Sequence, residues 1–378
     1  MVWLGVAGCV HGRLDFLYEQ FIEETHTRGI QCKLLLCCGD FQSIRDEEDL
    51  KSMSCPRQYR ELGDFPKYYS GEKTAPCLTI FIGGNHEASR YLQEIPLGGW
   101  VAPRIFYLGR AGILRNARHD YRIGGISGIY YPKDYFRPRD EGVLLHGSQI
   151  HTVYHTRKTE WRLLLHALHW NAFDGGSFSP ETDIASRDRC HVFLSHDWPR
   201  GVMAYGDCST LWTRKQWMQR AHQRGIDGSP ALAELMESSA APRYWFAAHH
   251  HCRFAASTPQ GTSFTALDQT LPGCPFLTFV ELPGGESADP VSEMEYDLRW
   301  LRCVQRHYRG EREPSGSISL AALQRVFEST RQKRASETPA PGYGNETAPN
   351  PQTSFLLGEL GISWERLHNV DGVQANPQ

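Results

Sequence analysis

Over its first two-thirds the chain alternates short continuous apolar runs with amphipathic stretches. VWLGVA (2–7) ends in glycine and polar residues and reads as a buried strand. Leu14, Leu17, Tyr18, Phe21 and Ile22 then recur at helical spacing, with Gly29 as the stop. CKLLLCC (32–38), CLTIFI (77–82) and HVFLS (191–195) read as further buried strands, and IFYLG and YRIGGISGIYY as shorter ones around 105–130. SPALAELMESS (229–239) predicts a helix with Ser229 as its cap and Pro230 at the first helical position. It leads into the strand YWFAA (244–248), after which SFTALD and PFLTFVEL are strand-like. Buried strands alternating with helices predict an α/β layered fold.

Two regions break the pattern. Residues 171–188 are rich in Gly, Ser, Pro and Asp and predict a long surface loop. From about 309 the composition shifts: GEREPSGS is a linker, ISLAALQRVFES one candidate helix, and 335–354 lacks the apolar content to fold. The folded part is expected at roughly 1–308. No internal repeat is visible at a period of about 20–50 residues.

Composition narrows the function classes. A chain of 378 residues is one large domain or two ordinary ones. With 40 Lys+Arg against 43 Asp+Glu the formal charge is -3, which excludes binding to nucleic acid by bulk charge but leaves room for a local basic groove. No apolar run approaches the ~20 residues of a membrane helix, and the start has no basic segment typical of a signal peptide. The 11 cysteines are odd in number and scattered, with Cys37 and Cys38 adjacent in a strand, which predicts reduced thiols. The figure left over is 17 histidines, with a triple at 249–251.

The chemistry sits at the strand ends. Strand 2–7 runs into Cys9 and His11, 32–38 into Asp40, 77–82 into Asn85 and His86, 191–195 into His196, and 244–248 into His249 and His251. In open α/β sheets the ligand crevice lies at the carboxyl ends of the strands, so five such ends can deliver donors to one place. Cys9/His11 and His249/His251 are i, i+2 pairs that point the same way if the segments stay extended, with His250 turned away or behind the ligands. Cys9, His11, Asp40, Asn85, His196, His249 and His251 are too many ligands for one tetrahedral site. They suit a two-metal site of the kind that clamps both oxygens in a phosphoryl displacement.

This order of motifs resembles the calcineurin-like metallophosphoesterases, whose pattern runs D-x-H, G-D, G-N-H-[ED], H and G-H-x-H. Two positions depart from it: Cys9 stands where most of the superfamily has Asp, and the last motif reads AHHH (248–251). G-C-x-H-G is similar to the RNA lariat debranching enzymes, as are CCGDFQSIRDEEDL (37–50), FIGGNHEAS (81–89), LSHDWPRG (194–201), YWFAAHHHCRFAA (244–256) and EYDLRWL (295–301). The resemblance covers about residues 1–305. It implies a layered metallophosphoesterase β-sandwich flanked by helices, with a catalytic domain over 1–256 and a smaller C-terminal strand/helix extension over 257–308 packed on it. A linker and largely disordered tail over 309–378 would follow.

The resemblance also implies roles. One metal would sit with Cys9, His11, Asp40 and His251, the other with Asp40, Asn85, His196 and His249, and Asp40 would bridge them. The reaction implied is hydrolysis of the 2'–5' phosphodiester at the branch point of an excised intron lariat, with metal-bound hydroxide as nucleophile and His86 as general acid. A thiolate is a softer ligand than a carboxylate, so Cys9 leads us to expect Fe(II)/Zn(II) or Mn(II) rather than magnesium. The stretch 130–162 resembles the loop that grips the lariat, followed by a helix. RNA recognition favours aromatic stacking and basic contacts, which singles out Tyr130, Tyr131, Arg157, Lys158 and Arg200. Residues 200–224 carry Arg200, Arg214, Lys215, Arg220 and Arg224 with Trp212 and Trp217, either a phosphate-tracking face or a solvated helix. The expected partner is branched intron RNA, with no membrane, nuclear location and a monomer as default. Two other readings remain: another metallophosphoesterase, such as a phosphatase or nuclease, and a metal-poor interaction scaffold on the same fold.

Overall fold

The computed structural model describes residues 1–139, 145, 147–169, 189–285, 289–311, 314, 316–336 and 350–368. The 171–188 loop expected from composition, and most of the segment expected to be disordered, lie outside them.

Among the described residues two sheets carry the architecture. A six-stranded sheet has the order β12-β1-β2-β3-β5-β4, built from β1 (Val2–Ala7), β2 (Cys32–Cys37), β3 (Leu78–Phe81), β4 (Gly99–Ala102), β5 (Ile105–Tyr107) and β12 (Leu277–Leu282). A seven-stranded sheet has the order β10-β11-β9-β8-β7-β6-β13. Its members are β6 (Ala111–Asn116), β7 (Arg122–Ile126), β8 (Val192–Ser195), β9 (Tyr244–Ala247), β10 (Phe254–Ser257), β11 (Ser263–Ala266) and β13 (Met294–Tyr296). β1, β2 and β3 are mutually parallel, as are β7, β8 and β9.

The alternation of side chains along each strand explains the layers. Leu4, Val6, Leu34, Leu36, Leu78 and Ile80 share one buried cluster with Ile113, Ile123, Val192 and Leu194 of the other sheet. Leu35, Cys37 and Phe81 point the opposite way, into a second cluster with Leu14, Leu17, Tyr18 and Phe21 of the helix Leu14–Arg28. A sheet covered on both faces needs near-continuous apolar strands, which is why these runs were legible. Each Leu or Phe so buried contributes about 1.5–3 kcal/mol. This core sets the strand ends rigidly, and the donors sit on the turns that follow them.

Two expectations need correction. The segment 257–308 is not an extension packed on a finished domain: β11 lies between β10 and β9, and β12 pairs antiparallel with β1. The chain beyond 309 is not simply a tail. The helices Leu320–Ser336 and Pro351–Leu360 bury Leu320, Leu323, Leu356, Leu357 and Leu360 in the intersheet core cluster. Gln352 grips the edge strand β4: its Oε1 accepts from Trp100 N at 2.8 Å and its Nε2 donates to Trp100 O at 2.9 Å. The indole Nε1 of Trp100 donates to Leu320 O at 3.0 Å. Gln352 and the neighbouring Thr353, which donates to Glu94 O at 2.8 Å, are polar yet buried, so a reading by apolar content missed the second helix.

Candidate metal centre

Each donor is placed by the turn that ends a strand. Cys9 and His11 follow β1, Asp40 follows β2, Asn85 and His86 follow β3, His196 follows β8, and His249 and His251 follow β9. The ends of β1, β2 and β3 in one sheet meet those of β8 and β9 in the other. The i, i+2 pairs do not converge by staying extended, as the sequence suggested. His11 (φ 51°), Asp40 (46°), His249 (65°) and His251 (43°) all lie in the left-handed region. Non-glycine residues adopt it at a cost, and such residues cluster at functional sites. Two glycines make room: a Cβ at Gly39 (φ 104°) would collide with the His196 ring, and one at Gly84 with Asp40 Oδ1.

The donor atoms of Cys9, His11, Asp40 and His251 all lie within 4.8 Å of one another. His11 Nε2 stands 3.0 Å from His251 Nε2 and 3.8 Å from Asp40 Oδ2. Beside them, His196 Nδ1 lies 2.7 Å from the Cys38 carbonyl, which fixes that nitrogen as the donor and turns the Nε2 lone pair inward. That Nε2 is 3.1 Å from Asn85 Oδ1 and 3.4 Å from Asp40 Oδ2. The His249 ring lies 5.0 Å from the His196 ring. The structure thus brings together all seven ligands expected from sequence, with Asp40 common to both halves.

The electrostatics fit a pair of cations. Burial pushes His11 down to about 4 and His249 well below the usual imidazole range, and also lowers His251. These rings are therefore neutral at neutral pH, the form that binds metal. Burial disfavours charge on Asp40, yet His196 and His11 hold its carboxyl well below the ordinary carboxylate range. Burial and then the Asp40 charge push the Cys9 thiol well up. At His196 burial opposes an imidazolium but Asp40 outweighs it, so proton affinity is raised. Lone pairs of several buried acceptors converge on one space, which demands positive charge there. Cys9 would need a bound cation to be a thiolate at neutral pH.

His86 is half-buried at the rim. Its backbone N–H donates to Asp40 Oδ1 at 2.8 Å, and its ring centre lies 5.9 Å from that of His11. His250 is not a solvent-facing residue: its ring packs 5.2 Å from both Trp198 and Trp217 and 4.6 Å from His249, behind the ligands.

Sequence reasoning gave no role to Glu87, which the structure makes central. Its Oε1 accepts from Phe41 N at 2.7 Å and from Gly84 N at 3.0 Å, and its Oε2 accepts from Gln42 N at 2.8 Å. One buried carboxylate thus clasps the turn carrying Asp40 to the turn carrying Asn85. Asp197 works similarly, accepting from Trp198 N at 2.8 Å and Tyr130 N at 3.1 Å. Asp197 directly follows the expected ligand His196, and Glu87 stands two residues after Asn85 at the acidic position that closes G-N-H-[ED]; the sequence shows the acids but not what they bind.

The expected RNA contacts divide. Tyr131 is 40% exposed, stacked on His155 at 4.7 Å. Lys158 is exposed, with Nζ 5.2 Å above the Phe136 ring. Tyr130 is half-buried, tied to Asp197. Arg200 is half-buried, its Nε lacking a hydrogen-bond partner. Arg157 is buried, with Nη1 donating to His155 O at 2.9 Å, so the structure holds it inside the fold rather than on an RNA-facing surface.

Residues 2–253 match the family model described as calcineurin-like phosphoesterase. The chain is 41% identical over 311 residues to a lariat debranching enzyme of Danio rerio, covering 80% of this chain and 50% of that protein. Against the lariat debranching enzyme of Homo sapiens it is 42% identical over 312 residues, covering 80% and 53%. Against that of Arabidopsis thaliana it is 36% identical over 388 residues, covering 96% and 86%. The chain thus spans about half the length of the vertebrate relatives it matches and most of the plant one.

Proposed function

Because the chain belongs to the calcineurin-like phosphoesterases, and within them to the lariat debranching family, we propose that it hydrolyses the 2'–5' phosphodiester at the branch point of excised intron lariat RNA. The product is linear RNA, and the proposed setting is the nucleus. The observation that carries this reading is the thiol in the metal cluster: Cys9 lies with His11, Asp40 and His251, at the position that separates the debranching branch from its superfamily.

Cys9, His11, Asp40 and His251 would hold one divalent cation, and Asp40, Asn85, His196 and His249 a second. Bound there, the cations supply Lewis acidity to the phosphate oxygens and acidify the attacking water. Fe(II)/Zn(II) or Mn(II) suits the mixed thiol, imidazole and carboxyl donors. His86 supplies the proton to the departing 2'-oxygen. Its backbone bond to Asp40 keeps its ring in register with the ligands. Glu87 holds the two ligand turns at a fixed separation. Tyr131, Lys158 and Arg200 present an aromatic face and two cations to the RNA, with Tyr130 beneath.

A metal-poor scaffold would have no need for four ligand-bearing residues in left-handed backbone, nor for neutral imidazoles facing a buried carboxylate. A different phosphoesterase activity is separated by substrate: synthetic 2'–5' branched RNA against linear 3'–5' RNA and a phosphopeptide, with and without chelator. Cleavage confined to the branched RNA supports the proposal.

A further inference from the structure

We propose that Trp217 and Lys215 form a nucleotide subsite beside the metal centre, where an unpaired nucleotide of the RNA stacks its base on Trp217 and sets its phosphate against the Lys215 ammonium. This rests on the reading of single-stranded RNA around the scissile bond as the substrate, and it names where that strand runs.

The two residues lie where the short helix Ser209–Arg214 breaks into the helix Gln216–Gln223. Met218 is buried and anchors the second helix, while Trp217 on its outer side is 48% exposed. A large indole left half open to water offers a face to a ligand. Its inner edge rests on His250, ring centres 5.2 Å apart and nearly perpendicular at 78°. His250 in turn lies 4.6 Å from His249, a residue of the metal cluster. A ladder of rings therefore runs from the candidate metal centre to an exposed aromatic surface within a nucleotide's reach.

Lys215 supplies the charge. Among the described residues no carboxylate pairs with it or with Arg220, one turn along from Trp217. It is the junction residue that caps both helices, two positions before Trp217, so the ammonium and the indole are held on the same short segment. A solvated helix face usually carries acids among its bases, yet 200–224 has five cations and only Asp207 on its acidic side until Asp227. An exposed indole beside an unpaired cation is the combination that binds single strands: base–aromatic stacking contributes about 1–3 kcal/mol per base and tolerates any base.

The test is fluorescence anisotropy of a labelled single-stranded oligoribonucleotide with the metal-loaded full chain, over a salt series, with metal content measured alongside. Trp217→Ala is expected to weaken binding ~5- to 100-fold, and Trp217→Phe to keep most of it. Lys215→Ala is expected to lower the slope of log affinity against log salt by about 0.7, the value of one single-strand phosphate contact. All three variants retain their metal. Wild-type affinity in Trp217→Ala, or a loss of binding that tracks a loss of metal, overturns the subsite. If wild-type protein binds through Trp217 but leaves branched RNA intact, the subsite stands and the debranching proposal falls. If it debranches while Trp217→Ala binds as tightly as wild type, the reverse holds.

Discussion

The Nε2 atoms of His11 and His251 face each other across 3.0 Å. Burial keeps both rings from protonating, His11 down at about 4. Two ring nitrogens in such contact, with Asp40 Oδ2 3.8 Å from the first and the Cys9 thiol within the same cluster, form a site shaped for a cation rather than for each other.

Replacing Cys9 by Ala removes one of four donors from that cluster and leaves the His196–Asn85 side intact. We expect metal content per chain to fall selectively at one site, read by plasma emission after dialysis against a weak chelator. Unchanged stoichiometry contradicts the assignment of Cys9 as a ligand.

His86 bonds Asp40 through its backbone, not its ring. His86→Ala therefore leaves the ligands in place while removing the proposed acid. Turnover of branched RNA is expected to drop ~10²-fold or more, with metal content unchanged. Cleavage near the wild-type rate removes His86 from that role.

Glu87→Gln replaces a carboxyl acceptor of three backbone N–H groups, whose proton affinity burial and then Asp40 raise to about 7, by an amide that presents its own N–H to some of them. A stability loss of about 1–3 kcal/mol is expected from the unsatisfied donors. Metal affinity should weaken ~10- to 100-fold, because the clasp orients both ligand turns. Thermal unfolding and metal titration read the two effects separately. Wild-type metal affinity in a clearly destabilised variant shows that the clasp does not orient the ligands.

Gln352→Ala strips the edge of β4 of both bonds to Trp100. With two buried backbone groups left unsatisfied, about 1–3 kcal/mol each is at stake, and the melting temperature should fall by several degrees. An unshifted transition shows that the helix Pro351–Leu360 is dispensable to the fold.

Much of this molecule was legible in its sequence because β1, β2, β3, β8 and β9 are buried on both faces and read as apolar runs. The donors were legible because they follow those runs directly. The backbone that joins them was not: the left-handed φ of His11, Asp40, His249 and His251 depends on turns whose residues follow no strand alternation. Glu87 was hidden for a related reason. It binds backbone N–H groups, and no residue pattern announces a partner that every residue carries. β10, β13 and the helix Pro351–Leu360 were missed because they are short edge elements, half-exposed or polar on one side. Arg157 shows the limit of composition: a basic residue in an aromatic-rich stretch proved to be buried against His155 O.

The most direct test of the central claim is product mapping with a synthetic 2'–5' branched RNA. The metal-loaded protein should release a linear strand with a 5'-phosphate and restore the 2'-hydroxyl at the branch. A chelator should abolish the reaction and readded Mn(II), or Fe(II) with Zn(II), should restore it. Cleavage of linear 3'–5' RNA at an equal rate, or debranching that persists without metal, contradicts the account.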